Sequence, residues 1–313
     1  MKSYGLVVSL VLNENFCRLM FCFLSSSVAN ADGNGMVGTL PSEMRLMSFM
    51  TDLVIVNNAI EGTIPTAFSE SAGSLRSLLL PDNELSGEIP DDFFANSPLE
   101  YVHLANNKFS GMIPTTLGEI TTLQQLDISG NTMSGTIPAE IGDYVALEAI
   151  SLANNFFEGE IPEEIYDLTE LKYLHMNGND LSGTLSKSIR NLSLLQGLRI
   201  GGSGLAGQLP DELFRLTKLV EVDVSDSSFD GRLSLGFLNL EGLEKLNVAN
   251  NNFSGTVPFD FGQLIELTDL NLEGNEFTGT IPDSVCLLVE EENLEVLTAD
   301  CEEVVCECCT KCF

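Results

Sequence analysis

The chain has 313 residues, of which 46 are acidic and 14 basic, for a formal net charge of −32. A surface this anionic repels nucleic acid and anionic membrane, and no nucleic-acid partner is expected. No D-x-[DN]-x-[DN]-G loop is present to use the acid for calcium, so the charge serves solubility or attraction to basic partners, and no metal or cofactor is expected.

The N-terminal stretch reads as targeting. Met1-Lys2 is followed by an apolar run from Gly5 to Leu12, then by Asn13-Glu14-Asn15 and a second apolar run, Phe16 to Leu24, that contains Arg18. Ala29-Asn30-Ala31 fits an A-x-A cleavage site. Residues 1–31 are therefore expected to be a signal peptide or a degenerate N-terminal segment. Neither apolar run reaches the ~20 residues a membrane-spanning helix needs.

From Asn34 onward the chain is periodic. Asn34 to Pro41 is the second half of a first unit, whose strand is expected at about Ser26 to Ala31, and the next unit begins at Met50 and is one residue longer. Leu75, Leu99, Leu123, Leu147, Leu171, Leu195, Leu219, Leu243 and Leu267 then follow one another at intervals of 24 with no insertion. A fixed period in this range signals a solenoid. Leu123 to Ala146 shows the pattern, L-x-x-L-x-L-x-x-N-x-x-x-G-x-I-P. Leu126 and Ile128 alternate with Gln125, Asp127 and Ser129, which is strand periodicity with one buried side. A strand this short cannot bury its apolar side alone, so stacked copies must form a parallel sheet over a shared core. The asparagine after the strand recurs as Asn58, Asn83, Asn107, Asn131, Asn155, Asn179, Asn251 and Asn275, and its amide can both donate to and accept from the backbone of the turn. These residues are expected to form a buried ladder, weakest at Ser203 and Ser227, where serine replaces asparagine. Nine of the 11 prolines stand three residues after the repeat glycine, and Ser186 and Ser234 replace the proline in two units. Proline fixes φ and lacks an N–H, so this segment suits short strand or 3₁₀ turn rather than α-helix.

Period, asparagine, glycine and proline together resemble the plant-type leucine-rich repeat, over roughly residues 34 to 288. The resemblance implies an α/β-class solenoid, a superhelical horseshoe with a parallel sheet on its concave face and short strands and 3₁₀ turns on its convex face. About ten and a half repeats fill residues 32–288, and residues 289–313 form an acidic, cysteine-rich C-terminal cap. The W-x-G-V-x-C cap motif common at the start of such proteins is absent, and Cys17 and Cys22 do not match it.

The tail gathers Cys286, Cys301, Cys306, Cys308, Cys309 and Cys312. A solenoid needs its last core face covered, and secreted ones often use disulfides to do it, so a disulfide-bonded cap is expected. Zinc ligation and palmitoylation are the alternatives. Six cysteines allow 15 pairings, and the sequence does not choose among them. Asn191-Leu192-Ser193 and Asn252-Phe253-Ser254 are glycosylation sequons. Gly33 to Gly38 and Gly202 to Gly207 both fit G-x-G-x-x-G, yet neither lies between a strand and a long helix, and the repeat frame already accounts for Gly38 and Gly207.

Both histidines occupy one column of the repeat. Tyr101 and His103 flank a buried strand position, as do Tyr173 and His175, so all four face outward from the concave sheet. Gln125, Asp127, Ser151, Arg199 and Asp223 share that face. Exposed aromatics with arginine are enriched at interfaces, which makes these nine residues the candidate ligand-binding patch. Catalysis is not expected, because the two histidines lie about three strands apart, roughly 14 Å, and no nucleophile is seen held by an oriented base. The reading is a non-catalytic binding module at the cell surface or outside the cell, taking a protein, peptide or glycan. In the family it resembles, receptor-like ectodomains of plants and some algae, such ligands are bound. The alternatives are a structural or adhesive wall protein and an extracellular fragment of a membrane receptor kinase.

Overall fold

The structure is a computed structural model that describes residues 28–30, 32–42, 44, 49–66, 72–90, 97–116, 121–291 and 293–313. Most of the candidate leader, including Cys17, Cys22 and Ala31, lies outside the described residues. The chain forms two compact units, Met1–Phe157 and Glu158–Phe313.

Each 24-residue repeat folds into one coil. The L-x-L segment gives a three-residue front strand, because only its middle residue and the leucines beside it can be buried while the residues between them face out. Tyr101–His103 shows the pattern: Val102 and Leu104 are fully buried and the two ring residues are half-buried. In the first unit the front strands are Val28–Asn30, Asp52–Val54, Ser77–Leu79, Tyr101–His103, Gln125–Asp127 and Ala149–Ser151. Each pairs in parallel with the next, and Tyr101, Val102 and His103 register on Gln125, Leu126 and Asp127. The strand expected at about Ser26 to Ala31 is Val28–Asn30. In the second unit the front strands run Tyr173–His175, Gly197–Arg199, Glu221–Asp223, Lys245–Asn247, Asp269–Asn271, Val296–Ala299 and Lys311–Cys312, again parallel and in chain order. Back strands of four residues, such as Lys108–Gly111 and Asn252–Gly255, pair coil to coil in the same way. The core of a coil is the apolar set of its repeat: Leu123, Leu126, Ile128, Met133, Ile137, Ile141 and Tyr144 are all buried. Complete burial of one such aliphatic side chain is worth about 1.5–3 kcal/mol.

The turn after each front strand is held by asparagine. Asn131 Oδ1 accepts the Phe109 N–H (2.9 Å), and Nδ2 donates to the carbonyls of Leu104 (3.1 Å), Ile128 (3.0 Å) and Ser129 (3.1 Å). Asn83, Asn107, Asn155, Asn251 and Asn275 make the same set of bonds, and Asn179 donates to Met176 O (2.9 Å). Asn58 is only half-buried and turns its Oδ1 to the Asn34 and Met36 N–H groups of the first, partial coil. At the two serine positions the network thins. Ser203 Oγ donates to Ile200 O within its own coil and lies 3.3 Å from Ser227 Oγ, while Ser227 Oγ donates to Ser225 O. The residue before the ladder position has positive φ in coil after coil: Asp82, Asn106, Asn154, Asp226 and Asn250, or glycine at 130, 178, 202 and 274. Asn, Asp and Gly are the residues that reach this region at low cost.

Behind the back strand, Gly135 has φ of 84°, and a Cβ there would sit 3.0 Å from Met112 Cγ. Pro138 then enters the 3₁₀ turn Ala139–Asp143 at φ −72°, ψ 147°. Ser186 (−69°, 149°) and Ser234 (−75°, 139°) hold the same conformation, and each hydroxyl accepts an N–H from two residues on, Ser188 and Gly236. A side-chain cap thus does the work of the proline ring. The last coil departs from those before it in the second unit, with the α-helix Asp283–Glu291 standing where they have 3₁₀ turn.

The second unit ends in a cap. All six tail cysteines pair, as Cys286–Cys308, Cys301–Cys312 and Cys306–Cys309. Asp300 completes the ladder: its carboxylate accepts the N–H groups of Gly274 (2.9 Å) and Asn275 (3.2 Å). Within the stack those N–H groups are taken by the next coil's carbonyls, as Gly201 O and Gly202 O take those of Gly178 and Asn179.

Candidate functional site

The front faces of the two units carry the residues that strand parity points outward. In the first unit, Tyr101 and Gln125 stand side by side, as do His103, Asp127 and Ser151 on three successive strands. Tyr101 Oη donates to Gln124 Oε1 at 2.9 Å, and His103 Nε2 lies 3.1 Å from Gln125 Oε1, a contact in which Nε2–H is the donor. Asp127 Oδ1 accepts from both the N–H (3.0 Å) and the hydroxyl (2.6 Å) of Ser129. One of its oxygens is therefore engaged in closing the turn below the strand.

The second unit repeats the theme with differences. Tyr173 is 42% exposed, and its hydroxyl donates to Gln196 Oε1 at 3.1 Å. Its ring meets His175 edge to face, 6.1 Å between centroids. Both rings lean over Gly197, where a Cβ would sit 3.0 Å from Tyr173 Cδ1 and 3.5 Å from His175 Nε2. The glycine is the space into which the aromatic pair settles. Arg199 stands opposite His175 and Asp223 opposite Arg199. Arg199 Nη2 bonds Glu221 Oε2 at 2.8 Å, and both side chains are partly exposed, so this pair orients the guanidinium more than it stabilises the fold. Asp223 Oδ1 closes a turn on Ser225 (3.0 and 2.7 Å), as Asp127 does on Ser129.

The nine candidate residues thus form two groups: Tyr101, His103, Gln125, Asp127 and Ser151 on one unit, and Tyr173, His175, Arg199 and Asp223 on the other. Gln124, Gln196, Gly197 and Glu221 join them, though the sequence reading did not select them. A signal was available, because Tyr101–Gln124 and Tyr173–Gln196 share one spacing of 23 residues. Asn191 and Asn252 lie elsewhere, exposed at the end of a 3₁₀ turn and at the start of a back strand. Among the described residues no group of His, Cys, Asp and Glu is arranged to hold a metal ion, and no helix is long and apolar enough to cross a membrane.

Stacked identical coils that display an ordered polar face with few aromatics define a solenoid repeat protein. The chain belongs to the leucine-rich-repeat family: a family model described as "Leucine-rich repeat region" matches residues 144–307, and one described as "Leucine rich repeat" matches residues 73–133. Among solved structures it is similar to the Arabidopsis receptor kinase HAESA in complex with the peptide hormone IDA and the co-receptor SERK1, with 31% identity and a TM-score of 0.79 over 86% of this chain and 44% of that one. It is also similar to the plant peptide hormone receptor RGFR1 in complex with RGF2, with 28% identity and a TM-score of 0.79 over 85% and 43%. A third similar structure is the ectodomain of the Arabidopsis thaliana membrane receptor kinase GASSHO1/SCHENGEN3 in complex with CASPARIAN STRIP INTEGRITY FACTOR 2, with 29% identity and a TM-score of 0.76 over 83% and 34%. The chain spans less than half the length of each. A comparison with curated proteins finds no match.

Proposed function

We propose that the chain is a non-catalytic recognition module, outside the cell or at its surface, that binds a peptide along the outer face of its front strands. Its organisation would be a leader or degenerate segment at 1–31, of which Val28–Asn30 supplies the first front strand while it is attached, repeats over 32–288 and a cap over 289–313, with glycans at Asn191 and Asn252. The single observation that carries the binding reading is a tyrosine on each unit's front face whose hydroxyl is fixed by a glutamine of the following coil. A ring held in place before binding loses little side-chain freedom when a ligand packs on it. The peptide ligands of HAESA and RGFR1 support the ligand class, and three disulfides support an oxidising compartment.

The test is selection of a ligand from a displayed peptide library on the secreted protein, followed by Tyr101→Ala and Tyr173→Ala. Truncating a central interface aromatic costs about 2 kcal/mol or more, so at least one of the two should weaken binding by about 30-fold. A double variant that folds normally and keeps its affinity would refute this face. Adsorption that depends on salt and ignores both substitutions would instead mark an adhesive wall protein.

A further inference from the structure

The three bridges of the cap differ in what they hold. Cys286–Cys308 joins the helix Asp283–Glu291 to the tail across 22 residues. Cys301–Cys312 fastens the final front strand Lys311–Cys312 across 11. Cys306–Cys309 spans only three. Both ends of that small loop are secured by other means. Just before it, Val304–Val305 pairs with Gly279–Thr280. Just after it, Thr310 donates its N–H to Leu297 O (2.9 Å) and accepts the Leu297 N–H on Oγ1 (2.9 Å). Inside it, Cys308 is bonded to Cys286. A cross-link restricts the unfolded chain according to the loop it closes, and the shortest loop contributes least. Opening Cys306–Cys309 therefore releases no strand and no helix, whereas each of the other two bridges ties an element, the helix Asp283–Glu291 or the strand Lys311–Cys312, to the rest of the cap.

The Cys-x-x-Cys spacing keeps the second thiol beside the first after the bridge opens, which suits reversible exchange. Cys306 and Cys309 are both half-buried, so solvent reaches them. We infer that Cys306–Cys309 is a thiol–disulfide exchange site that accepts two electrons from an external dithiol while the rest of the cap stays closed. One thiolate of the dithiol attacks Sγ of one cysteine; the S–S bond breaks, and the other cysteine leaves as a thiolate and takes up a proton. The dithiol's second thiolate then attacks its own sulfur in the mixed disulfide. The dithiol departs as a disulfide, and Cys306 and Cys309 remain as two thiols. A disulfide reagent drives the same steps in reverse, and the pinned ends keep the two thiols adjacent throughout. Glu302, Glu303 and Glu307 are exposed around the loop, so an uncharged or cationic dithiol is favoured over an anionic thiol.

The experiment titrates the oxidised full chain with dithiothreitol under native conditions, traps thiols with N-ethylmaleimide and maps the labelled peptides. Cys306 and Cys309 should label first, with an equilibrium constant for reduction about tenfold or more above those of the other bridges and an unchanged thermal midpoint. In the Cys306→Ser/Cys309→Ser double variant this early two-thiol species should vanish while the other two bridges titrate as before. Labelling of Cys301 and Cys312, or of Cys286 and Cys308, ahead of this pair would overturn the inference, as would release of all six thiols in one step with unfolding. A double variant that fails to fold would overturn it too, because the bridge would then be needed for the fold.

Discussion

Asn131→Ala measures what the asparagine ladder contributes. The substitution leaves the buried Phe109 N–H without an acceptor and removes the Nδ2 donor from Leu104 O and Ile128 O. An orphaned buried donor alone costs about 1–3 kcal/mol, and the lost carbonyl contacts place the total near the top of that range, about 3 kcal/mol. For a cooperative unit of this size that is a fall in midpoint of roughly 6–12 °C. Ser227→Ala is the matched control. Ser227 Oγ donates to Ser225 O and touches Ser203 Oγ, while the Leu205 N–H turns to Ser203 at 3.4 Å, so about 1 kcal/mol or less is at stake. With no tryptophan in the chain, urea melts followed by far-UV circular dichroism are the assay, and hydrogen exchange at Phe109 N–H gives a local readout. If Ser227→Ala costs as much as Asn131→Ala, or if the Phe109 amide stays protected in Asn131→Ala, the hydrogen-bond account of the ladder is wrong.

Burial pushes the pKa of the Tyr144 hydroxyl far up, and the neighbouring charges of Asp143 and Glu140 add to the effect. The folded pKa lies above the unfolded value of about 10, so this contribution is complete below pH 10 and is lost as pH rises beyond it, where the unfolded chain ionises first. Tyr144→Phe should flatten the loss of urea midpoint above pH 10; parallel pH profiles for variant and parent would count against it. Gly201→Ala should cost about 1–3 kcal/mol by overpacking, because its Cβ would fall 2.7 Å from Ser225 O and 2.9 Å from Ser225 N. A neutral melt would mean the two coils can separate freely there.

Much of the fold was legible because one constraint repeats. A leucine every 24 residues fixes the strand register, so Tyr101 facing Gln125 and His103 facing Asp127 follow from counting. The face of each candidate residue follows from the same parity. What counting could not reach was chemistry that depends on distance in space. Three-bridge connectivity depends on where the tail doubles back, and nothing in the spacing of Cys301 to Cys312 encodes that path. The engagement of Asp127 and Asp223 in turns was hidden for a similar reason, since a carboxylate two residues before a serine reads the same whether it closes a turn or faces a ligand. The left-handed residue before each ladder position was readable and went unread: Asp82, Asn106, Gly130, Asn154, Gly178, Gly202, Asp226, Asn250 and Gly274 are all of the three types that tolerate positive φ. The helix Asp283–Glu291 was missed because the G-T-I-P signal before it, Gly279 to Pro282, is the same one that introduces 3₁₀ turns elsewhere.

Asp300 gives the column of turn hydrogen bonds in the second unit a defined last member. A bare coil end offers a row of unpaired N–H groups, and any chain carrying the same repeat, above all another copy of this one, could dock its first coil there and continue the stack. By presenting a carboxylate to the Gly274 and Asn275 N–H groups, Asp300 stands in for the carbonyls that a regular coil would supply, so the tail that follows can leave the repeat without orphaning them.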